Sequence, residues 1–439
     1  MRSFFSSLLI FVMSTVITCS LAAPVERSVA ANISKRTPEW PVHYWEANSK
    51  IRGVNLGGWL VLEAWITPSL FKGRNDTRIV DEYTFGQYVD RETAQSVLQE
   101  HWSTFITLQD FKDIKNAGLN HVRIPVGYWA WDVSGGEPYS QGQFFYLNQA
   151  VAWARETGLK VMVDLHGLPG SQNAFDNSGQ KGAVNWFKSK DNVNRSLNII
   201  RAMATWYSAQ TDVVVAIECV NEPWGYAGED MMNVLRQYYY DRQYAISYGS
   251  IRWPFATATQ GSVVTVISDA SQSLDSWKGF MNAGFDGVMM DTHFYDIWCP
   301  DCPERSYEDH IASVCAQKDR IGSFDLWTVV GEWSVATTNC GNNQYDVYGG
   351  STYDGTAGGP KYGDCSAVSG SAENFTPEYK EFLRKYFEAQ ISAYEANVGW
   401  IYWTWKTEGV DEWSYSKGLE YKWIPQDPTE RLYPNICSS

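Results

Sequence analysis

Short apolar runs alternate with longer amphipathic ones along most of the chain. The runs Val161-Met-Val163 and Val213-Val-Val-Ala-Ile217 are apolar at every position, as in strands covered on both faces. Eight segments read as strands: Gly53–Leu62, His121–Tyr128, Lys160–Leu165, Val213–Val220, Val263–Ser268, Val288–His293, Thr328–Glu332 and Trp400–Trp405. Between them, Leu108–Ala117, Leu147–Glu156, Asn194–Tyr207, Met231–Ala245, Asp309–Asp319 and Pro377–Tyr394 read as helices. In the last, Phe382, Leu383, Tyr386, Phe387, Ile391 and Tyr394 fall on one stripe. Repeated strand–helix pairs predict a parallel sheet with helices outside it. Eight candidate strands predict a single α/β domain, a (β/α)8 TIM barrel with long loops at its C-terminal face. The alternative is a doubly wound open sheet, which usually shows GxGxxG after its first strand. Gly53-Val-Asn-Leu-Gly57-Gly58 lacks that spacing.

A barrel does its chemistry at the C-terminal ends of its strands, so the search narrows to those ends. The polar and aromatic residues there are Glu63, Arg123, His166, Asn221 with Glu222, His293 with Tyr295, Glu332, and Trp403 with Trp405. Glu222 follows the apolar run ending at Val220, and Glu332 follows Val329-Val-Gly331. Ending a buried strand on a charge is costly unless the charge has a partner or a task. Two carboxylates at one rim suit glycoside hydrolysis, in which one protonates the leaving oxygen and the other attacks or activates water.

Composition supports a sugar ligand. The 439 residues include 21 Trp, 26 Tyr and 19 Phe, and aromatic rings make up 15% of the chain. A core does not need so many tryptophans, and their flat faces suit sugar rings. The formal net charge is −15, which argues against nucleic acid or an anionic membrane as partner. None of the six His shows metal-ligand spacing such as HExxH, so neither metal nor cofactor is expected.

The first residues read as a secretory signal, residues 1–22: Arg2, the apolar run Leu8–Cys19, then Ser20-Leu21-Ala22. Lys35-Arg36 then reads as a processing site ending a pro-segment, 23–36, which leaves 37–439 as the catalytic domain. Beyond the signal no apolar stretch is long enough to span a membrane, and Tyr433–Ser439 lacks the apolar tail of a lipid-anchor signal. A secreted, extracellular or wall-bound monomer is expected. Of the eight Cys, Cys19 leaves with the signal, and Cys219 in an apolar run is the candidate buried free thiol. Cys299, Cys302, Cys315, Cys340, Cys365 and Cys437 remain to be paired. Asn75, Asn194 and Asn374 each open an N-glycosylation motif.

Asn221-Glu222-Pro223 on the fourth strand and Glu332 on the seventh resemble glycoside hydrolase family 5. Longer blocks resemble its fungal and yeast exo-1,3-β-glucanase branch: Arg52–Glu63, His101–Thr107, Asn120–Tyr128, His166–Gly179, and Trp403–Glu408 with Glu412-Trp413-Ser414. The resemblance implies release of glucose from the non-reducing end of β-1,3-glucan in a fungal wall, with transfer to other chains also open. It implies Glu222 as acid/base and Glu332 as nucleophile of a retaining mechanism. Glu222 should then have a raised pKa, from repulsion by ionised Glu332. It further implies that Arg123 and Tyr295 hold Glu332, that Asn221 bonds the sugar 2-hydroxyl, and that His166 and His293 contact hydroxyls or fix the carboxylates. Glu63, helped by Asp176, would grip the terminal sugar. Trp403 would floor the site, with Trp405 as competitor, and Phe175 and Trp298 would clamp the sugar beyond the cleavage point. It implies the bridges Cys315–Cys437 and Cys340–Cys365, which leaves Cys299 with Cys302.

Overall fold

The computed structural model describes residues 40–438, apart from 45, 47, 48, 241–245, 255–259 and 342–348. The signal and pro-segment expectations lie outside the described residues. The eight strands are β1 (Ile51–Asn55), β2 (His121–Gly127), β3 (Lys160–Gly167), β4 (Val214–Glu218), β5 (Val264–Ser268), β6 (Val288–His293), β7 (Trp327–Glu332) and β8 (Gly399–Tyr402). Each pairs in parallel with its neighbours in sequence, and β8 returns to β1 through Ile51 opposite Gly399, closing the barrel. Among the described residues no helix is long and apolar enough to cross a membrane.

Side chains alternate across each strand, so every second residue points into the barrel. The outward set (Val54, Val122, Val163, Ile217, Met290, Val330, Tyr402) packs under the helices in the main core. The inward set is layered. Ile51, Met162, Ala216, Val264, Met289, Val329 and Ile401 form an apolar layer, closed off by Trp40 and Tyr44 against Trp327. One step further along the strands the inward positions become Arg123, Asp164, Glu218 and Asp291, all with no exposure. The polar residues therefore lie at the C-terminal end of the barrel, where the catalytic pair was expected.

Several predicted boundaries move. The strand predicted over Gly53–Leu62 ends at Asn55; Leu56–Leu62 is buried but runs through turns, so its apolar character reflects burial and not pairing. The strand predicted over Trp400–Trp405 ends at Tyr402. The helix predicted over Asp309–Asp319 is two helices, Tyr307–Cys315 and Gln317–Gly322, with Ala316 between them. The helix predicted over Met231–Ala245 spans Glu229–Tyr239, and 241–245 lie outside the described residues. Pro377–Tyr394 is a helix over its full predicted length, capped by Thr376 Oγ1 accepting from Tyr379 N, with its aromatic stripe buried. The helix Arg91–Thr104 was missed because its buried face has only Ala94, Leu98, His101 and Trp102 among polar residues.

Disulfides join Cys315 to Cys437, Cys340 to Cys365 and Cys299 to Cys302, and Cys219 is a buried free thiol.

Candidate active site

Glu332 is the last residue of β7, and Glu222 stands four residues beyond β4 with its backbone in the left-handed region at φ 42°. That conformation is costly for a residue with a side chain, by ~1–3 kcal/mol, and the fixed loop around it must hold it. It aims Glu222 back over the barrel. One oxygen of Glu222, one of Glu332 and one nitrogen of His293 all lie within 4.8 Å of one another.

His293, the last residue of β6, sits between the two acids. Its Nδ1 is 2.9 Å from Glu222 Oε1 and 3.5 Å from Glu332 Oε2, and its Nε2 is 3.3 Å from Asp291 Oδ2. Both ring nitrogens face acceptors, and only an imidazolium has an N–H for each. Asn177 Nδ2 donates to the other Glu222 oxygen at 2.9 Å. Tyr295 donates its hydroxyl to Glu332 Oε2 at 3.0 Å, and Arg123 Nη1 donates to Oε1 at 2.9 Å.

Arg123 lies at the centre of a buried network. It donates to Glu218 at 2.8 Å, Asn55 at 2.9 Å and Asn221 Oδ1 at 2.8 Å, and pairs with Asp164 at 3.1 Å. Gly331 N donates to Asp291 Oδ1 at 2.8 Å; a Cβ on Gly331 would meet that carboxylate at 2.2 Å, so β7 can carry only glycine there. His166 Nδ1 pairs with Asp164 at 2.5 Å, and its ring stacks at 5.6 Å on Trp403.

The pocket above is walled by Glu63, Trp65, Phe175, Asp176, Asn177, Glu222, Trp224, Ser271, His293, Tyr295, Trp298, Glu332, Trp403 and Trp413. Nine of the twelve residues singled out from the sequence therefore face one cavity. Arg123, His166 and Asn221 do not; all three are fully buried, with Arg123 bonded to Glu332 and His166 stacked on Trp403 from behind the wall. Trp403 forms part of the wall, and Gly57 allows it, since a Cβ there would meet its ring at 2.7 Å. Trp405 turns the other way, donates to Asp110 at 2.9 Å and packs in the outer core near Tyr415. Among the wall residues, Trp65, Asn177, Trp224, Ser271 and Trp413 were not singled out. Asn177 and Trp413 stand inside the quoted blocks, which was the available signal.

Among the described residues three groups could offer ligands to a metal ion, Asp296 with Cys299 and Cys302, Glu218 with Asp291 and His293, and Glu222 with His293 and Glu332, and each has other partners. Cys299 and Cys302 are joined to each other, the Arg123 guanidinium lies beside Glu218 and Asp291, and His293 Nδ1 is hydrogen-bonded to Glu222.

The family model described as cellulase (glycosyl hydrolase family 5) matches residues 87–348. The chain belongs to glycosyl hydrolase family 5. It is 43% identical over 399 residues to a glucan 1,3-beta-glucosidase of Blumeria graminis, covering 89% of this chain and 90% of that one. It is 41% identical over 443 residues to a glucan 1,3-beta-glucosidase of Kluyveromyces lactis, covering 97% of both. Among solved structures its fold is similar to rutinosidase from Aspergillus niger, with TM-score 0.68 and 19% identity, over 88% of this chain and all of that one.

For this family 5 chain one electrostatic expectation is reversed. Glu222 was expected to be raised by its neighbour. Burial does push it up, but the hydrogen bond and charge of His293, with Asn177 at the other oxygen, hold it at about 2. Glu332 is raised instead: burial and the Glu222 charge outweigh His293 and Arg123. His293 is raised well above the ordinary imidazole range, because Glu332 and Asp291 overcome its burial. The expectation omitted the imidazolium, whose placement follows from β6 ending between the two acids. Deeper in the pocket, burial pushes Asp176 up to about 7 and Glu63 well above the carboxylate range, with Asp176 adding to the rise of Glu63.

Proposed function

We propose that the protein is a retaining exo-acting β-1,3-glucosidase that removes glucose from the non-reducing end of β-1,3-glucan. The spacing of Glu222 and Glu332 carries the retaining part. Oxygens within 4.8 Å match the ~5–5.5 Å separation of retaining enzymes and leave no room for the water of an inverting one, which needs ~6.5–9.5 Å.

In the first step Glu332 attacks the anomeric carbon while Glu222 gives its proton to the glycosidic oxygen; the carbon–oxygen bond breaks and a glucosyl ester of Glu332 forms. In the second, water attacks that carbon, Glu222 takes the water's proton and Glu332 is released. Glu222 receives its first proton from His293 Nδ1 across the 2.9 Å hydrogen bond, since His293 holds it in the free site. Arg123 and Tyr295 favour the ionised form of Glu332 needed for attack.

Glu63 supports the exo reading. Its Oε2 accepts from Trp65 Nε1 at 2.9 Å, while its Oε1 is buried at the pocket wall without a protein partner. An acceptor left open there suits a hydroxyl of the terminal sugar. Phe175 and Trp298, in the same wall, suit the next sugar, and a second glucan chain there can take the glucosyl group in place of water. The linkage preference rests on the relatives named glucan 1,3-beta-glucosidase.

Secretion to the cell wall or medium, after removal of residues 1–36, completes the reading. Three disulfides suit an oxidising compartment, and Asn75, Asn194 and Asn374 are all exposed. Time-resolved product analysis on laminarin tests the activity. β-Glucose as the sole early sugar is expected. A ladder of oligosaccharides, or α-glucose first, overturns it.

A further inference from the structure

The loop that carries Glu222 continues outward through Pro223 to Trp224, Gly225 and Tyr226. Trp224 stands in the pocket wall beside Phe175, with ring centroids 5.4 Å apart and planes at 80°. Tyr226 follows, 5.1 Å from Trp224. At 67% exposure it is the most exposed of the large apolar and aromatic side chains described. The three rings thus run in sequence from the cavity to the open surface.

The backbone under this row is anchored. Trp224 N donates to Gln172 O at 3.0 Å, Gly225 N to Ala270 O at 3.3 Å, and Ala227 N closes a short turn on Trp224 O at 2.9 Å. Gly225 is pinned between elements, since a Cβ there would meet Ala270 O at 2.6 Å. A single exposed ring is ordinary, but a contiguous row of rings leading out of a pocket is the kind of patch that marks a binding surface.

The chemistry of Glu222 says on which side of the cleaved bond the row lies. Its proton goes to the glycosidic oxygen, which leaves with the remaining chain. The leaving chain therefore departs past the loop that holds the acid, and Trp224 and Tyr226 are the next residues of that loop.

Resting on the glucanase reading above, we infer that Trp224 and Tyr226 form an extended binding track for the sugars of the leaving or incoming glucan chain beyond the one next to the cleavage point. Each ring offers a face to one glucosyl unit. Trp224 takes the nearer unit and Tyr226 the farther one, so the track favours long chains both as substrates and as acceptors of transfer.

The test compares kcat/KM for laminaribiose and laminaripentaose in the wild type, Tyr226→Ala, Tyr226→Phe and Trp206→Ala. Trp206 is another exposed ring, at 53%, on the helix Lys190–Tyr207. The wild type should prefer the pentaose. In Tyr226→Ala the pentaose-to-biose ratio should fall roughly two- to tenfold, the range expected for one aromatic contact. Tyr226→Phe should restore the ratio, and Trp206→Ala should leave it unchanged. An unchanged ratio in Tyr226→Ala overturns the track. So does an equal fall in both substrates, which marks a folding defect, or an equal fall in Trp206→Ala, which marks general surface stickiness. A wild type that cleaves neither oligosaccharide refutes the glucanase reading itself, and is told apart because it is read before any variant.

Discussion

Nδ1 of His293 lies 2.9 Å from Oε1 of Glu222, which makes the proton of the site common property of a pair and not of one carboxylate. The expected consequence is a basic limb of kcat/KM set by loss of the proton from the His293–Glu222 pair, above the ordinary imidazole range, since His293 is strongly raised. In His293→Gln the carboxyl of Glu222 must hold the proton alone. Burial still raises it, but not to where the imidazolium stood, so the basic limb should move to lower pH. At neutral pH, kcat should fall by roughly 10²–10⁴, the usual worth of a working general acid. The pH profile with laminaribiose checks this, and a basic limb that stays in place assigns it to another group.

Glu222 and Glu332 should separate by leaving group. A substrate whose leaving group departs without a proton, such as a dinitrophenyl β-glucoside, does not need the acid in the first step. Glu222→Ala should therefore still form the glucosyl ester rapidly with that substrate, while hydrolysis of laminaribiose falls by about 10²–10⁴. Glu332→Gln should lose both. Stopped-flow release of dinitrophenol reads the first step directly. Equal loss of the burst in both variants contradicts the assignment of roles.

Much of this was visible along the chain, and the gaps have physical causes. Glu332 was legible because an apolar strand rarely ends on Glu without reason, and Glu222 because it closely follows the apolar run that forms β4. Leu56–Leu62 misled because complete burial looks like a strand whether or not the backbone pairs. The network of Asp164, Glu218 and Asp291 under the pocket stayed hidden because each sits within a strand, and only closure of the barrel brings them to one arginine. The separation of Trp403 from Trp405 was equally hidden. Both looked alike while the strand was assumed to continue, and it ends at Tyr402.

Stability should fall as pH rises, and Glu412 should be one cause. It is fully buried, accepting from Ser369 Oγ at 2.6 Å and Gly370 N at 3.3 Å, and burial pushes its carboxyl from 4.5 up to about 8. Below pH ~4.5 it is protonated in both folded and unfolded chains, so its stabilising share is complete. Between ~4.5 and ~8 the unfolded chain releases the proton first, and stability falls. The loss is at most on the order of 5 kcal/mol. Glu412→Gln imitates the protonated acid, so its Tm should match the wild type near pH 4 and exceed it near pH 8.5. Parallel Tm curves for the two proteins across that range would remove Glu412 as a cause.

Arg123 should matter to folding as much as to catalysis. It is fully buried among Asp164, Glu218, Asp291 and Glu332, with Asn55 and Asn221 completing its hydrogen bonds. Replacing it with Met leaves that cluster without its cation, and removing one partner of a buried pair costs ~3–5 kcal/mol. Arg123→Met should therefore unfold at a much lower temperature or fail to fold. Arg123→Lys keeps the charge but not the planar fork, so it cannot bond Glu218, Glu332 and Asn221 together. It should fold with a reduced Tm, and kcat should drop by roughly 10²-fold because Asn221 and Glu332 lose their shared orientation. Thermal melts and laminaribiose kinetics on both variants decide the matter. A Lys variant with wild-type kcat would reduce Arg123 to a structural ion, while one with wild-type Tm and lost kcat would confine its role to Glu332.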